Sequence, residues 1–282
     1  MPYNHAGEIG DVWKHLPLCD ILSIEKPIRY HETNSAYSGY TITSNPKTDY
    51  GIFHLLEEKA LKDSRYFETL RRNGIDHKHY TGSPGLSMDI LSDRSNYYFH
   101  DIESDALSDV ISDAKKRGLA SYVKTFCGDS IQAFLKKEYI LDKNDFVFLD
   151  PYTPFDNNVD GFKFFDIFEK SISAGSMTLL WYGYEQLEGK NRISNYIKKM
   201  ATKLNAKIWS FDVWLKCMTD NDCKINPGVP GCGLACANLS KESIHTLEKY
   251  INILGKHYSS ATYCANEASL LTESIEYDCR SY

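Results

Sequence analysis

Alternating strand-like and helix-like segments, which begin near residue 97, constrain the fold of this chain more than any other feature. Apolar, strand-like runs occur at 97–102, 122–126, 145–150 and 176–182, and helix-like segments lie between them at 104–114, 129–135 and 162–172. Parallel strands joined by helices of this kind pack through right-handed crossovers. The pattern therefore predicts an α/β protein with a mostly parallel, doubly wound sheet.

The last part of the chain departs from this alternation. A helix predicted at 193–204 is followed by two strand-like runs, 206–215 and 234–239, with no helix-like segment between them. Strands that are connected directly pair as antiparallel neighbours. One late antiparallel strand in an otherwise parallel sheet is typical of the class I (Rossmann-like) methyltransferase fold, whereas a Rossmann dehydrogenase has a fully parallel sheet.

The composition is typical of a globular protein in water. Charged residues make up 25% of the 282 residues and apolar ones 42%, and the length suits one large domain, here expected to span 1–282. No apolar run reaches the ~20 residues that a membrane span requires. The first residues show no basic segment followed by an apolar stretch. We therefore expect no secretory signal, no membrane partner and a cytoplasmic protein.

Charge and cysteine content limit the kinds of partner. The net charge of −6 argues against constitutive tight binding to nucleic acid, although it does not exclude a local basic patch. Basic clusters such as 115–117 and 198–199 lie late in predicted helices, where the helix dipole explains them as well as phosphate contacts do. The eight cysteines form no C-x-x-C pair. We therefore expect reduced, buried cysteines and no metal site.

A candidate catalytic segment ends the third of these strands. The run 146–149 is wholly apolar and is followed at once by Asp150, Pro151 and Tyr152. A buried strand that ends in a carboxylate places that group where open α/β sheets bind ligands. The Asp150 carboxylate and the Pro151 carbonyl can accept hydrogen bonds from an exocyclic amine, and an aromatic ring can stack on its base. The alternative is a proline-rich turn with Asp150 as a cap.

Other strand tips carry acids in an order that suits a nucleoside-bearing cofactor. Asp101 follows one strand, where an acid can accept both ribose hydroxyls. Gly128 and Asp129 follow the next, where a carboxylate can accept from an adenine amino group. A short strand predicted at 27–30 leads into a loop at 32–39, whose small residues let the backbone approach a ligand. Taken singly, each acid is also a candidate helix cap, and Asp129 is balanced between the two roles.

The N-terminal cluster and several later motifs resemble one known family. Lys14 and His15 are cations that can neutralise the carboxylate of an amino-acid-like ligand, or else belong to a solvated helix face. With their neighbours they are similar to the start of the RlmJ-type adenine-N6 methyltransferases of large-subunit ribosomal RNA. Further elements follow in that family's order over most of the chain: His5-Ala6-Gly7, Asp11-Val12, Lys14-His15, 26–34, Tyr80-Thr81-Gly82-Ser83-Pro84-Gly85, Asp101, Gly128-Asp129, Asp150-Pro151 and Leu180-Trp181-Tyr182.

The resemblance implies an enzyme that transfers a methyl group from S-adenosylmethionine to N6 of an adenine in nucleic acid, with ribosomal RNA as the expected partner. Asp150 and the Pro151 carbonyl would hold the amine, and Tyr152, or Phe155 in a rearranged loop, would stack on the base. A helical insertion would span 45–90, within which 51–75 has a strongly charged, helical pattern, and a monomer is favoured. The residues implied to line the donor site are Lys14, His15, Asn34, Ser83, Asp101, Gly128 and Asp129.

Some positions depart from the family pattern and leave other functions open. Asn34 stands where the family has histidine, and 35–38 replaces a glycine- and alanine-rich run. The family's Asp-Pro-Pro-Tyr motif is Asp-Pro-Tyr-Thr at 150–153, which removes a proline that stiffens the loop. One alternative is a catalytically degenerate member that binds nucleic acid or a partner, in line with the use of external DNA associated with some members. Another is a methyltransferase for a different amine.

Overall fold

The computed structural model describes residues 5–219, 228–260 and 274–282. Its strands are β1 (Arg29–Thr33), β2 (Gly39–Thr41), β3 (His79–Thr81), β4 (Asn96–Asp101), β5 (Val123–Cys127), β6 (Asp145–Leu149), β7 (Met177–Tyr184), β8 (Ile208–Leu215), β9 (Gly231–Ala237) and β10 (Ile275–Ser281). Its α-helices are α1 (Ile9–Glu25), α2 (Pro46–Tyr50), α3 (Ile52–Leu55), α4 (Arg65–Arg72), α5 (Ser83–Leu91), α6 (Ser104–Lys116), α7 (Ser130–Leu135), α8 (Phe164–Ser173), α9 (Leu187–Leu204) and α10 (Lys241–Ser260). Among these described residues, no helix is both long and apolar enough to cross a bilayer.

Eight strands form the central sheet in the order β10-β8-β9-β7-β6-β1-β4-β5. The neighbours among β5, β4, β1, β6 and β7 pair in parallel. Strand β9 lies between β7 and β8 and is antiparallel to both. The predicted fold class, a mostly parallel sheet with a late antiparallel strand, is therefore confirmed, as is the antiparallel pairing of the runs at 206–215 and 234–239.

Strand β10 adds a second antiparallel strand that the sequence did not predict. It pairs with β8 at the edge of the sheet, and buried and less buried residues alternate along it. The half-buried positions carry the charged side chains Glu276, Asp278 and Arg280, and the exposed positions between them are Tyr277, Cys279 and Ser281. An edge strand of this composition lacks the apolar run by which the interior strands were recognised.

Strand β1 is central although its sequence, Arg-Tyr-His-Glu-Thr, is polar. The predicted strand, 27–30, covered only its beginning. Arg29 donates two hydrogen bonds to Asp145 of β6, and His31 Nε2 lies 2.9 Å from the same carboxylate. These partners satisfy polar groups that would otherwise be costly to bury. Polar residues thus occupy a central strand because the neighbouring strand supplies their hydrogen bonds.

The chain between β1 and β4 forms an extension of the sheet domain. Strands β2 and β3 make a separate antiparallel pair, and helices α2 to α5 lie around them. Helix α1 packs against α4, α5 and α10. The predicted insertion at 45–90 falls within this extension, and its standing as a subdomain stays a prediction. The helical segment expected at 51–75 is divided into α3 and α4, and Ser64 caps α4 through the backbone N–H of Phe67.

The parallel strands end at one edge of the sheet. Because β1, β4, β5, β6 and β7 run in the same direction, the residues that follow them lie along that edge. Ligands of open α/β sheets bind at such carboxyl ends. The topology therefore gathers the strand tips that the sequence singled out.

Candidate active site

A cavity of about 710 Å³ opens at the carboxyl edge of the sheet. Its size falls in the range of small-molecule sites in proteins. Its walls come from the N-terminal end of α1, the loop after β1, the segment after β6 and the end of β7. Five of the predicted site residues line it together, namely Lys14, Asn34, Asp150, Pro151 and Tyr152.

Asp150 and Lys14 form the polar centre of this cavity. Lys14 Nζ donates to Asp150 Oδ2 at 2.7 Å and lies 3.0 Å from Asp11 Oδ1. The same ammonium lies 5.0 Å from the ring centroid of Trp181. The second carboxylate oxygen, Asp150 Oδ1, is buried and has no hydrogen-bond partner among the described residues. One oxygen of Asp150 is therefore held by the protein, and the other can accept a hydrogen bond from a ligand.

Burial and ion pairing set the charges of these groups. Burial raises the pKa of Asp150 to about 6, although Lys14 opposes the change. Burial alone would lower the pKa of Lys14, but Asp11 and Asp150 outweigh it, and the pKa lies above the usual lysine value. For Asp11 the nearby Lys14 outweighs burial and lowers the pKa. Near neutral pH, Asp150 is thus an anion, and it begins to take up a proton when the pH falls by about one unit, towards its pKa of about 6.

Aromatic residues border the Asp150 carboxylate. The hydroxyl of Tyr152 donates to Glu185 Oε1, and the Tyr152 carbonyl accepts from the backbone N–H of Gly183 at 2.8 Å. A side chain at Gly183 would place its Cβ 2.6 Å from the Tyr152 ring. The ring of Trp181 lies 6.4 Å from that of Tyr152, centroid to centroid. Both rings line the cavity, and together they offer apolar surface to a planar ligand.

The loop after β1 keeps a tight turn without glycine. Asn34 and Ala36 both have left-handed backbones, with φ of 55° and 53°. The N–H of Ser35 donates to the His100 carbonyl at 3.1 Å, and the N–H of Ala36 donates to Asp101 Oδ2 at 2.8 Å. These bonds hold backbone conformations that are uncommon for residues with a side chain. Asn34 and Ala36 consequently reach the cavity wall.

The acids at the tips of β4 and β5 do not line this cavity. Both oxygens of Asp101 accept backbone N–H groups, from Ala36 and from Glu103 at 2.9 Å. Asp129 caps α7 by accepting from Ile131 N at 2.8 Å. Of its two predicted roles, the structure thus shows the capping one. Gly128, whose backbone N–H donates to the Asp101 carbonyl at 2.9 Å, does not line the cavity either.

Two other predicted donor residues also lie outside the cavity wall. Ser83 donates to Glu32, whose pKa is raised to about 8 by burial. His15 is buried, with Nδ1 2.9 Å from the Tyr80 hydroxyl, and burial together with Lys14 lowers its pKa to about 3. His15 is therefore neutral near pH 7, which does not agree with the cationic role expected for it. Phe155 also lies outside this cavity, in a neighbouring groove.

Several charged residues of the cavity were missed by the sequence analysis. Glu8 forms an ion pair with Lys47 at 3.2 Å, its Oε1 lies 3.0 Å from His5 Nδ1, and all three residues line the wall. Glu185 follows β7 directly, so the rule that ligands bind at carboxyl ends of strands would have identified it. For Lys47, in α2, no local pattern points to the cavity.

Comparison with known proteins supports the fold. No protein-family model matches the chain, and no curated protein shows a significant match. Protein LPL1258 from Legionella pneumophila, described with the family model DUF519, is 18% identical over 98% of each chain with a TM-score of 0.70. At this identity the likeness is one of fold, and it extends over the whole chain.

Two O-methyltransferases are more distant. TomG from Streptomyces achromogenes, solved with SAM, is 11% identical over 79% of each chain, with a TM-score of 0.43. The enzyme from Bacillus cereus, solved with SAH, is 12% identical over 79% of this chain and 80% of its own, with a TM-score of 0.41. Scores this low carry no argument about the activity of this chain.

Proposed function

We propose that this protein is an S-adenosylmethionine-dependent methyltransferase that methylates N6 of an adenine in nucleic acid, with ribosomal RNA as the expected substrate. The observation that carries the proposal is the second oxygen of Asp150, which is buried, without a partner among the described residues, and set in a cavity beside two aromatic rings. The motif resemblance around Asp150 points to the same chemistry. The whole-chain likeness to a DUF519 protein supports it further, because RlmJ-type enzymes belong to that family.

The cavity suits a cationic methyl donor by charge. Its wall carries more carboxylates than cations, and the carboxylates are Glu8, Asp11, Asp150, Asp156 and Glu185. An acidic wall favours a sulfonium group. Lys14 has two of its three N–H donors directed at Asp11 and Asp150, so the third is available to a ligand carboxylate.

The adenosine part of the donor would lie against the loop after β1. Asp101 lies outside the cavity wall and would act on the donor only through Ala36, whose N–H it accepts. Asn34 and Ala36 would border the donor on the side of β1. When bound, S-adenosylmethionine would supply an electrophilic methyl group on sulfur.

The residues around Asp150 would orient the acceptor amine. Asp150 Oδ1 would accept one N–H of the amine, and the Pro151 carbonyl would accept the other, so that the nitrogen lone pair points towards the methyl group. Tyr152 would stack on the base and fix its plane. Methyl transfer from the donor sulfur would leave the nitrogen cationic, and the nitrogen would give a proton to Asp150 Oδ1, which would return it to water. Alignment of the two reactants supplies most of the acceleration.

A methylation assay tests this proposal. Protein-free ribosomal RNA, DNA and adenosine would each be incubated with a labelled donor and with wild type, Asp150→Ala or Asp150→Asn. We expect label in RNA with wild type and a loss of about 100-fold or more in both variants. Asp160→Asn, which changes an exposed acid in the following loop, is the matched control and should keep full activity. Equal incorporation by Asp150→Ala and wild type would remove Asp150 from the reaction.

A second candidate function is binding of nucleic acid or a partner without catalysis. It is favoured by the loop after β1, which lacks glycine, and by Asp101 and Asp129, whose carboxylates are already engaged with backbone amides. Calorimetric titration with S-adenosylmethionine and with S-adenosylhomocysteine separates the two candidates. Heat of binding together with a rise in melting temperature supports the enzyme, and the absence of both supports the non-catalytic protein.

A further inference from the structure

A second groove adjoins the candidate active site. It has a volume of about 300 Å³ and shares Tyr152 and Glu185 with the larger cavity, so the two spaces adjoin at these side chains. Its other walls come from the segment after β6 and from the first turns of α9. No step of the proposed methyl transfer uses this groove.

The groove combines an aromatic ring with an unpaired cation. Phe155 packs edge to face on Phe165 and Tyr196, with ring centroids 5.0 and 5.4 Å away, and is therefore held in place. The guanidinium carbon of Arg192 lies 4.1 Å from the centroid of the Phe155 ring. Arg192 is exposed and has no ion pair among the described residues. A guanidinium plane held on a ring in this way can stack on a base or donate to a phosphate.

The cationic surface continues along α9. Arg192, Asn195, Lys199 and Thr202 are three or four residues apart and so share one helix face. Asn195, Lys198, Lys199 and Thr202 line a shallow depression that follows along the helix.

Ion pairing distinguishes the cations of this helix. Lys190 and Lys203 are paired with Asp278 and Glu169. Lys198 and Lys199 have no such partner in the described part of the chain. In a protein with a net charge of −6, unpaired cations next to an acidic cavity mark a local site for anions.

We propose that this groove binds the nucleotide next to the target adenine in a single-stranded segment of nucleic acid, with Arg192 and Phe155 against its base and Lys198 and Lys199 against the phosphates that follow. The inference rests on the proposed function, because it places the target base beside Asp150. The inference adds the path of the nucleic-acid strand, which would leave the cavity past Tyr152 and follow α9. Stacking and phosphate contacts of this kind are how proteins hold single strands.

Binding of two probes to the full chain tests the subsite. The first probe is a short fluorescein-labelled single-stranded RNA with one central adenine, followed by fluorescence anisotropy over a series of salt concentrations. The second probe is adenosine monophosphate, which has no neighbouring nucleotide; its binding is measured by calorimetry. Arg192→Gln should raise the Kd for RNA about tenfold with little change in the slope of log Kd against log salt, because the contact it removes is with the base. Lys199→Gln removes a phosphate contact and should lower that slope by about 0.7, and neither variant should change the affinity for adenosine monophosphate. Phe155→Leu, which keeps apolar volume, should weaken RNA binding about fivefold with an unchanged slope.

The control is Lys116→Gln, which removes one exposed cation from α6, a helix that packs on β4 and β5 away from the groove. This variant should bind both probes with the same Kd as wild type. Equal effects of Arg192→Gln and Lys116→Gln on RNA, or no RNA binding by wild type, would overturn the subsite. Methylation of adenine by wild type with an unaltered KM for RNA in Arg192→Gln would overturn the subsite but keep the proposed function. If neither wild type nor any variant methylated RNA, the proposed function itself would be wrong.

Discussion

At the scale of single residues, the chemistry of the site depends on how Asp150 is solvated. Burial raises the pKa of its carboxyl to about 6, and the Lys14 ammonium at 2.7 Å limits that rise. The proposed role of Asp150 as a hydrogen-bond acceptor requires the anion. Its protonation near pH 6 therefore links the electrostatics of the cavity to the rate of methyl transfer.

The first prediction concerns pH. Activity at saturating donor and RNA should rise with pH to a plateau, with a midpoint near the Asp150 pKa of about 6, because protonation below it removes the acceptor. Lys14→Met should move the midpoint upward by about one pH unit or more, since the cation that favours the anion is gone. Lys14→Arg keeps the charge and should leave the midpoint near that of wild type. A pH profile that is the same in Lys14→Met and wild type would contradict this account.

The second prediction concerns Tyr152, whose hydroxyl donates to Glu185. If this bond positions the ring over the base, Tyr152→Phe and Glu185→Ala should each raise KM for RNA about fivefold, which corresponds to the ~1 kcal/mol net contribution of one hydrogen bond. The double variant should be no worse than either, because both changes remove the same interaction. Tyr152→Ala should lose far more, since it also removes the ring. Additive effects in the double variant would show that the two side chains act independently.

At the scale of the secondary-structure elements, β1 and β6 are joined by a buried charged cluster. Asp145 is fully buried and accepts from Arg29, from His31 and from the backbone N–H of Asp142. Burial opposes ionisation of Asp145, but these hydrogen bonds outweigh it and hold its pKa far below the usual aspartate range. The cluster fixes the register of the strand that carries Asp150 against the strand that leads into the loop at Asn34.

The third prediction follows from this cluster. Asp145→Ala should lower the free energy of unfolding, measured in urea at neutral pH, by about 3–5 kcal/mol, because Arg29 and His31 are left without their buried partner. Asp142→Ala removes the other carboxylate that contacts Arg29, but this group is exposed, and the loss should be far smaller. In wild type, the free energy of unfolding should also fall as the pH drops below about 4, because Asp145 binds a proton in the unfolded chain but stays ionised in the folded one. Equal losses in the two variants would argue against a special role for burial.

At the scale of the whole molecule, β10 closes one edge of the sheet. It covers β8 along seven paired positions, and its Asp278 forms an ion pair at 2.9 Å with Lys190, which is 4% exposed. Without β10, the backbone of β8 would become a free edge and the Lys190 ammonium would lose its partner. Free edges of this kind pair with other chains.

The fourth prediction tests this closure. A chain that ends at Ser260 should have a lower melting temperature than the full chain and should form concentration-dependent oligomers, measured by light scattering after gel filtration. Asp278→Asn, which keeps the strand but weakens the ion pair, should lower the melting temperature without promoting association. A shortened chain that elutes at the same size as the full chain, at all concentrations, would show that β10 does not protect the sheet.

The periodicity of apolar residues was enough to predict the α/β class, the order of most strands and helices, and the position of Asp150 at a strand tip. These features depend on local patterns, because a buried parallel strand needs a continuous apolar run and a crossover helix needs one apolar face. Of the two polar strands, β1 was predicted only in part and β10 was missed. Their stability comes from neighbouring strands, as the contacts of Arg29 and Asp145 show.

The tertiary structure alone decided which of the candidate residues share a cavity. Lys14, Asn34 and Asp150 come together, whereas the carboxylates of Asp101 and Asp129 are engaged by backbone amides and His15 is buried as a neutral ring. The reason is physical: the sequence shows which groups can accept a hydrogen bond, but the partner that each one finds, and the water it loses, depend on segments far away in the chain.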